Sequence, residues 1–154
     1  MTALANSGGV VRWAIGPLAT DEEADAYAAA RDWTDWGAAS EAKLKGAILE
    51  AGSYVRFNWI APRAYSDEAD QAATEAVIEA ARLALTQPLM GGNAAAEPQL
   101  IRKKTGPLEK EWAAPTQGAA EAASRRRLGL VDAMLRASGA VRLSNGVNIA
   151  LAKS

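Results

Sequence analysis

The chain has 154 residues, of which 49% are hydrophobic and 23% are charged. This composition is typical of one folded soluble domain and differs from that of a disordered chain. The 17 basic and 18 acidic residues leave a net charge of −1, so no global field draws the protein onto nucleic acid or an anionic membrane. No segment has the length of apolar sequence that spans a bilayer, and the first dozen residues lack the order of a signal peptide.

Histidine and cysteine are both absent from the sequence. Their absence removes the commonest general base, thiolate nucleophiles, imidazole and thiolate metal sites, and disulfides. The spacings of a phosphate-binding loop, a nucleophile elbow and a zinc protease are also missing. We therefore expect no catalytic residue, no cofactor and no metal site, with a carboxylate-based or magnesium-dependent enzyme as a distant alternative.

Helix is the predicted main element, because alanine, the best helix former, makes up about a quarter of the chain. A first helix begins at the capping box formed by Thr20 and Glu23 and runs to about Arg31. The segment 32–37 combines Asp, Thr and Gly, which favour turns over helix interiors, so we expect the helix pattern to break there.

Two longer helices follow in the predicted order. Ser40 caps the second, which has one apolar stripe and ends near Phe57. Pro62 then predicts a loop in which Trp59 and Ile60 act as apolar anchors. Either Ser66 or Asp67 caps the third helix, whose rows of alanine over 69–84 would let helix axes approach closely.

A charged segment over 100–112 predicts a β-hairpin around Gly106 and Pro107. In that register two ion pairs share one face of the hairpin. Few apolar anchors hold this hairpin to the body, so we expect it to contact an adjacent subunit or a neighbouring ring. The residues assigned to this contact are Arg102, Lys103, Lys104, Glu109 and Glu111.

A last helix is predicted from about Ser124 to Ala137, and Ser138 and Gly139 end it. Beyond it, Asn145-Gly146 lies between alternating apolar residues, which is a strong hairpin signal. Two strands alone are marginal in water, so this tail either folds back on its own helices or adds to the sheet of a partner. The residues assigned to such a docking tail are Val141, Arg142, Leu143, Val147, Ile149 and Leu151.

Three further groups of residues have a functional and a structural interpretation. The basic run Arg125, Arg126 and Arg127 is either a solvated helix start or a contact to phosphate or an acidic partner. The tryptophans are either core residues, which we prefer, or stacking platforms for single-stranded nucleic acid. The carboxylates at 21–25 are interpreted as helix-capping groups and not as a metal cluster.

The order of these motifs resembles a family of tailed-phage head-tail connector proteins, also called adaptor or head completion proteins. The resemblance lies in the segments 20–33, 51–57 and 101–112, in the alanine-rich helix between them, and in 131–135. It covers about residues 18–137, and members are often labelled DnaT-like single-stranded DNA-binding proteins. The pattern departs from the family after Ala137.

This resemblance implies a mainly α fold, a small bundle of about four helices with the hairpin over 100–112. We expect an N-terminal arm over 1–17, a connector domain over 18–137 and a docking tail over 138–154. The expected function is structural: a ring of twelve copies in the virion neck, assembled in the host cytoplasm. The expected partners are the portal, the next neck or tail-completion protein and the packaged double-stranded DNA in the lumen. A single-stranded nucleic-acid-binding accessory protein is the alternative.

Overall fold

The computed structural model describes residues 2–89 and 128–143. Two short antiparallel sheets flank a set of packed helices. In chain order the elements are β1 (Leu4–Ser7), β2 (Val10–Trp13), α1 (Asp21–Ala30), α2 (Thr34–Ala38), α3 (Glu41–Asn58), β3 (Trp59–Ile60), α4 (Asp67–Ala84), α5 (128–137) and β4 (Val141–Arg142).

The predicted mainly α class is confirmed, and the core lies between α3 and α4. Small buried residues on α4, such as Ala73, Ala76 and Ala80, allow the two helix axes to approach closely. Three helix starts also agree with the sequence. Thr20 forms the full capping box with Glu23, and the hydroxyls of Ser40 and Ser66 each accept a hydrogen bond from the third amide of their helices.

Within the segment 1–17, expected as an arm, β1 and β2 pair as a hairpin, and Ala3 and Leu4 at its base are buried. Gly8 and Gly9 both have positive φ angles, as a two-residue hairpin turn of the primed type requires. The buried Asp70 Oδ1 accepts the Leu4 amide at 3.0 Å. One turn further along α4, the Thr74 hydroxyl accepts the amides of residues 2 and 3 at 3.3 Å.

The expected turn over 32–37 was wrong in its second half, because α2 forms there. Asp32 ends α1 with φ of 54°, a conformation that aspartate tolerates better than most residues. The chain then turns so that Trp33 and Trp36 both reach the core. Burial of two large indoles outweighs the weak helix propensity of this short segment.

The end of α5 agrees with its prediction and directs the chain into β4. Ala140 donates its amide to the Leu135 carbonyl and Gly139 donates to Arg136, the hydrogen-bond pattern of a Schellman motif. Gly139 has φ of +93° and lies against Pro62. The predicted hairpin over 100–112, Arg125 to Arg127 and the tail beyond residue 143 lie outside the described residues.

Candidate docking surface at the β3–β4 sheet

The sheet of β3 and β4 joins two parts of the chain that lie about 80 positions apart. Trp59 is opposite Arg142, and Ile60 is opposite Val141. The Leu143 amide donates to the Asn58 carbonyl at 2.7 Å, which continues the same register by one residue. The predicted loop at Trp59 and Ile60 is therefore wrong. These residues form a strand because the chain after α5 supplies its partner.

Trp59 is the centre of this region and is 1% exposed. Its amide donates to the Val55 carbonyl at the end of α3, and its carbonyl accepts the Trp13 indole N–H at 2.9 Å. The guanidinium groups of Arg136 and Arg142 each lie 6.0 Å from its ring, the outer limit for a cation–π contact. Trp59 thus links the N-terminal hairpin, α3, α5 and β4.

A polar network fixes β4 to the helices beside this ring. Asp132 on α5 accepts from the Arg142 guanidinium at 2.8 Å and from the Tyr54 hydroxyl at 3.3 Å. Burial raises the pKa of Tyr54, and the neighbouring Asp132 carboxylate raises it further. Arg142, predicted as a portal contact, therefore forms an ion pair within the chain. Its side chain is 48% exposed in this pair, and that of Asp132 is 15% exposed.

The opposite face of the sheet is apolar and open. Ile60 is 52% exposed and Val141 is 56% exposed, and as cross-strand partners their side chains lie on one face. Leu143 follows two residues after Val141 and shares this face by strand alternation. We call Ile60, Val141 and Leu143 the exposed sheet face.

The backbone groups of Trp59 and Arg142 point to the two outer edges of the sheet. On β3, the outward amide of Trp59 donates to the Val55 carbonyl, and its carbonyl accepts the Trp13 indole N–H. On β4, the register directs the amide and carbonyl of Arg142 away from β3.

A second cluster of aromatic residues lies between α1, α2 and α4. Trp33 packs edge to face on Tyr27, with ring centroids 5.4 Å apart. The Arg82 guanidinium lies 4.4 Å from the Trp33 ring, donates to Asp35 at 2.9 Å and holds the pKa of that carboxyl below its usual value. These side chains bond to one another and give the cluster a structural role.

A cleft of about 410 Å³ borders this aromatic cluster, and Leu44 of α3 is among its lining residues. Asp25, Asp32 and Trp36 are among its lining residues. The Asp25 carboxylate already accepts the Trp36 indole N–H at 2.9 Å. Across the described ranges no group of three His, Cys, Asp or Glu side chains is placed to hold a metal ion.

The structure describes part of the predicted site and adds one residue that the sequence did not predict. Val141, Arg142 and Leu143 lie together on β4 and just after it. Val147, Ile149 and Leu151 lie outside the described residues, as do Arg102, Lys103, Lys104, Glu109, Glu111 and the arginine run at 125–127. The missed member is Ile60, and the only local signal for it was a bulky apolar pair before Pro62.

No protein-family model, curated protein or solved structure matches this chain. Within the part that the structure describes, no helix has the length and apolar character that crossing a membrane requires.

Proposed function

We propose that this chain is a structural subunit of a head-tail connector, which assembles into a ring beneath the portal of a tailed phage or phage-like particle. In this proposal the ring joins head to tail and continues the DNA channel, without catalysis. The observation that carries it is the exposed sheet face at the start of the predicted docking tail. An exposed apolar face of this kind suits a permanent protein contact.

The energetics of such a contact favour a ring over a single pair. Ile60 and Val141 are each about half exposed, so completing their burial contributes on the order of 1–2 kcal/mol per side chain before ordering costs. One contact of this size is weak. Repeated around a twelvefold ring on a matching portal, many such contacts act together and anchor the assembly.

The nucleic-acid alternative needs exposed aromatic rings, and three of the described tryptophans do not supply them. Trp33, Trp36 and Trp59 are all buried. The indole N–H of Trp36 is bonded within the protein, and Arg82 lies over the ring of Trp33. These contacts support the preferred core interpretation of the tryptophans and leave those three rings unavailable for base stacking.

The test is sedimentation velocity of the full chain, alone and mixed with the portal ring of its own particle. Ile60→Lys and Val141→Lys should abolish co-sedimentation with the portal while leaving the circular dichroism spectrum unchanged. Leu49→Lys is the matched control, because Leu49 on α3 has the same 52% exposure as Ile60. A wild-type chain that never joins the portal would contradict the proposal, as would a Leu49→Lys chain that loses binding to the same degree.

An oligonucleotide titration at rising salt tests the alternative directly. A nucleic-acid-binding protein should bind at low salt and weaken steeply as salt rises. The connector proposal expects no measurable affinity for a short single strand under the conditions in which the portal binds. Tight, salt-sensitive oligonucleotide binding without portal binding would contradict the connector proposal and support a nucleic-acid-binding protein.

A further inference from the structure

We infer that Ile15 of one copy of this chain inserts into a cleft beside Trp36 of a second copy. The two surfaces are the Ile15 loop, residues 14–17, and the Trp36 cleft, the cavity of about 410 Å³ that residues of α1, α2 and α3 line. The inference names the contact between neighbouring subunits of the proposed ring, and it rests on that proposal only for the number of copies.

The Ile15 loop presents an apolar side chain to solvent on a braced backbone. Ile15 is 102% exposed. The guanidinium of Arg56 donates to the carbonyls on both sides of it, that of Ala14 at 2.7 Å and that of Gly16. The Ala14 amide donates to the Ala3 carbonyl at 2.9 Å. A loop that is already held in position loses little conformational entropy on binding, which suits it to anchor an interface.

The Trp36 cleft has an apolar lining that suits such an anchor. Its lining residues include Trp33, Trp36, Ala29 and Leu44. An isoleucine that enters this cleft removes apolar surface of both copies from water, which favours association. Interface residues that contribute most to binding are typically of this kind, an apolar side chain near the centre of the contact that fills a pocket of the partner.

The two surfaces also carry opposite charges. Arg56 stands beside Ile15, and its bonds there go to neutral carbonyls, which do not compensate its positive charge. Asp25 and Asp32 line the cleft, and Asp25 accepts from the neutral indole N–H of Trp36. A basic loop and an acidic cleft attract each other. The same charges disfavour the contact of two identical loops or of two identical clefts.

The positions of the two surfaces decide the symmetry of the contact. Leu44, which lines the cleft, lies in the first turn of α3 and Arg56 in the last, so their Cα atoms are about 18 Å apart. The full exposure of Ile15 places it outside the cleft of its own chain. A contact between two different surfaces is heterologous, and it closes into a ring when the rotation between neighbours allows. Because one chain carries both halves of the contact, a second copy is the partner that fits.

Mixing two variants tests this contact, with sedimentation velocity of the full chain as the measurement. Ile15→Asp removes the anchor, and Ala29→Lys fills the cleft and places a positive charge in it. Each should weaken self-association at least about tenfold, as the loss of a central interface residue does. An equimolar mixture should form heterodimers, because the intact loop of the Ala29→Lys chain meets the intact cleft of the Ile15→Asp chain.

Matched controls come from the same surface classes. Ala26 is an exposed alanine of α1 outside the cleft lining, and Leu130 is an exposed apolar residue of α5. Ala26→Lys and Leu130→Asp should therefore associate like the wild type. Asp32→Asn should weaken association and make it less sensitive to salt, because it removes an attracting charge. Asparagine also tolerates the positive φ of position 32.

The other outcomes overturn the inference. A wild-type chain that stays monomeric up to about 1 mM would do so, as would two variants that do not associate when mixed although the wild type does. A lower Tm of Ile15→Asp would mean that another part of the chain covers Ile15. Loss of portal co-sedimentation by Ile15→Asp but not by Ala29→Lys would assign the loop to the portal contact instead.

Failure of this inference can be told apart from failure of the proposed function. Self-association that needs both Ile15 and the cleft, in a chain that never joins the portal, would contradict the proposed function alone. Portal binding that depends on Ile60 and Val141, by a chain whose self-association is unchanged by Ile15→Asp and Ala29→Lys, would contradict this inference alone.

Discussion

Replacing Asp70 by alanine should test how the N-terminal hairpin is held to the helical body. Asp70 is 2% exposed on α4, and its Oδ1 accepts the Leu4 amide at 3.0 Å. The Leu4 amide points away from β2, because its neighbour Ala3 accepts from Ala14. Asp70→Ala therefore leaves a buried donor without its acceptor.

The expected loss follows from the kind of hydrogen bond involved. A hydrogen bond to a charged group contributes about 1.5–3 kcal/mol, and an unsatisfied buried amide costs a similar amount that overlaps with it. We expect Asp70→Ala to lower the free energy of unfolding by about 2–3 kcal/mol. For a chain of this size that corresponds to a fall in Tm of about 4–12 °C. Asp70→Asn, which keeps an acceptor of the same shape, should lose less.

Urea denaturation followed by circular dichroism measures this loss, and hydrogen exchange of the Leu4 amide locates it. Glu68→Ala is the matched control, because Glu68 is an exposed acid in the first turn of the same helix. Its loss should be about 0.3–1 kcal/mol, the size of a helix-dipole effect. If Asp70→Ala costs no more than Glu68→Ala, or if the Leu4 amide stays protected in it, the assigned role of this hydrogen bond is wrong.

Three further outcomes can be measured with single substitutions. Gly46→Ala should raise the free energy of unfolding by about 0.5–1 kcal/mol, because Gly46 lies inside α3 and an added Cβ meets no atom within 4 Å. Gly139→Ala should lower the free energy of unfolding by about 1–2 kcal/mol in the same urea assay, because a φ of +93° is strained for alanine. Equal effects of the two changes would contradict this reasoning. In an ultraviolet titration Tyr27 should ionise well above its ordinary pKa of 10.0, because burial, and next the hydrogen bond to Glu79, raise that pKa. The contribution of Tyr27 to the free energy of unfolding is thus complete below pH 10. It declines above pH 10, where the unfolded chain releases the Tyr27 proton that the folded chain keeps. Glu79→Gln should lower the pKa of Tyr27, and an unchanged titration would contradict the assigned hydrogen bond between Tyr27 and Glu79.

Local signals in the sequence determined the helices and most of their ends. The capping box at Thr20, the serine caps at 40 and 66, and Gly139 after α5 act within a few residues of the chain. Their hydrogen bonds form within one or two helix turns, so the neighbouring sequence contains all the information that they need. The apolar stripes of the helices likewise predicted which faces are buried.

Tertiary packing decided the short elements. The sequence over 34–38 favours a turn, but α2 forms because Trp33 and Trp36 gain burial that local propensity does not count. Gly8 and Gly9 are a local signal for the turn of the β1–β2 hairpin, because both have positive φ angles. What holds the base of that hairpin, the buried Asp70 and Thr74, lies some 70 positions further along the chain.

The candidate docking surface also combines a part that local sequence predicts with a part that only tertiary packing determines. The sequence placed Val141 and Leu143 in an apolar alternating segment, which is a local pattern. It could not show that Ile60 lies opposite Val141, since that pairing joins segments about 80 residues apart. A two-residue strand such as Trp59–Ile60 is too short to show a periodicity. Its pairing with β4 depends on how the helices pack and on the direction that the chain takes after the C-terminal cap of α5.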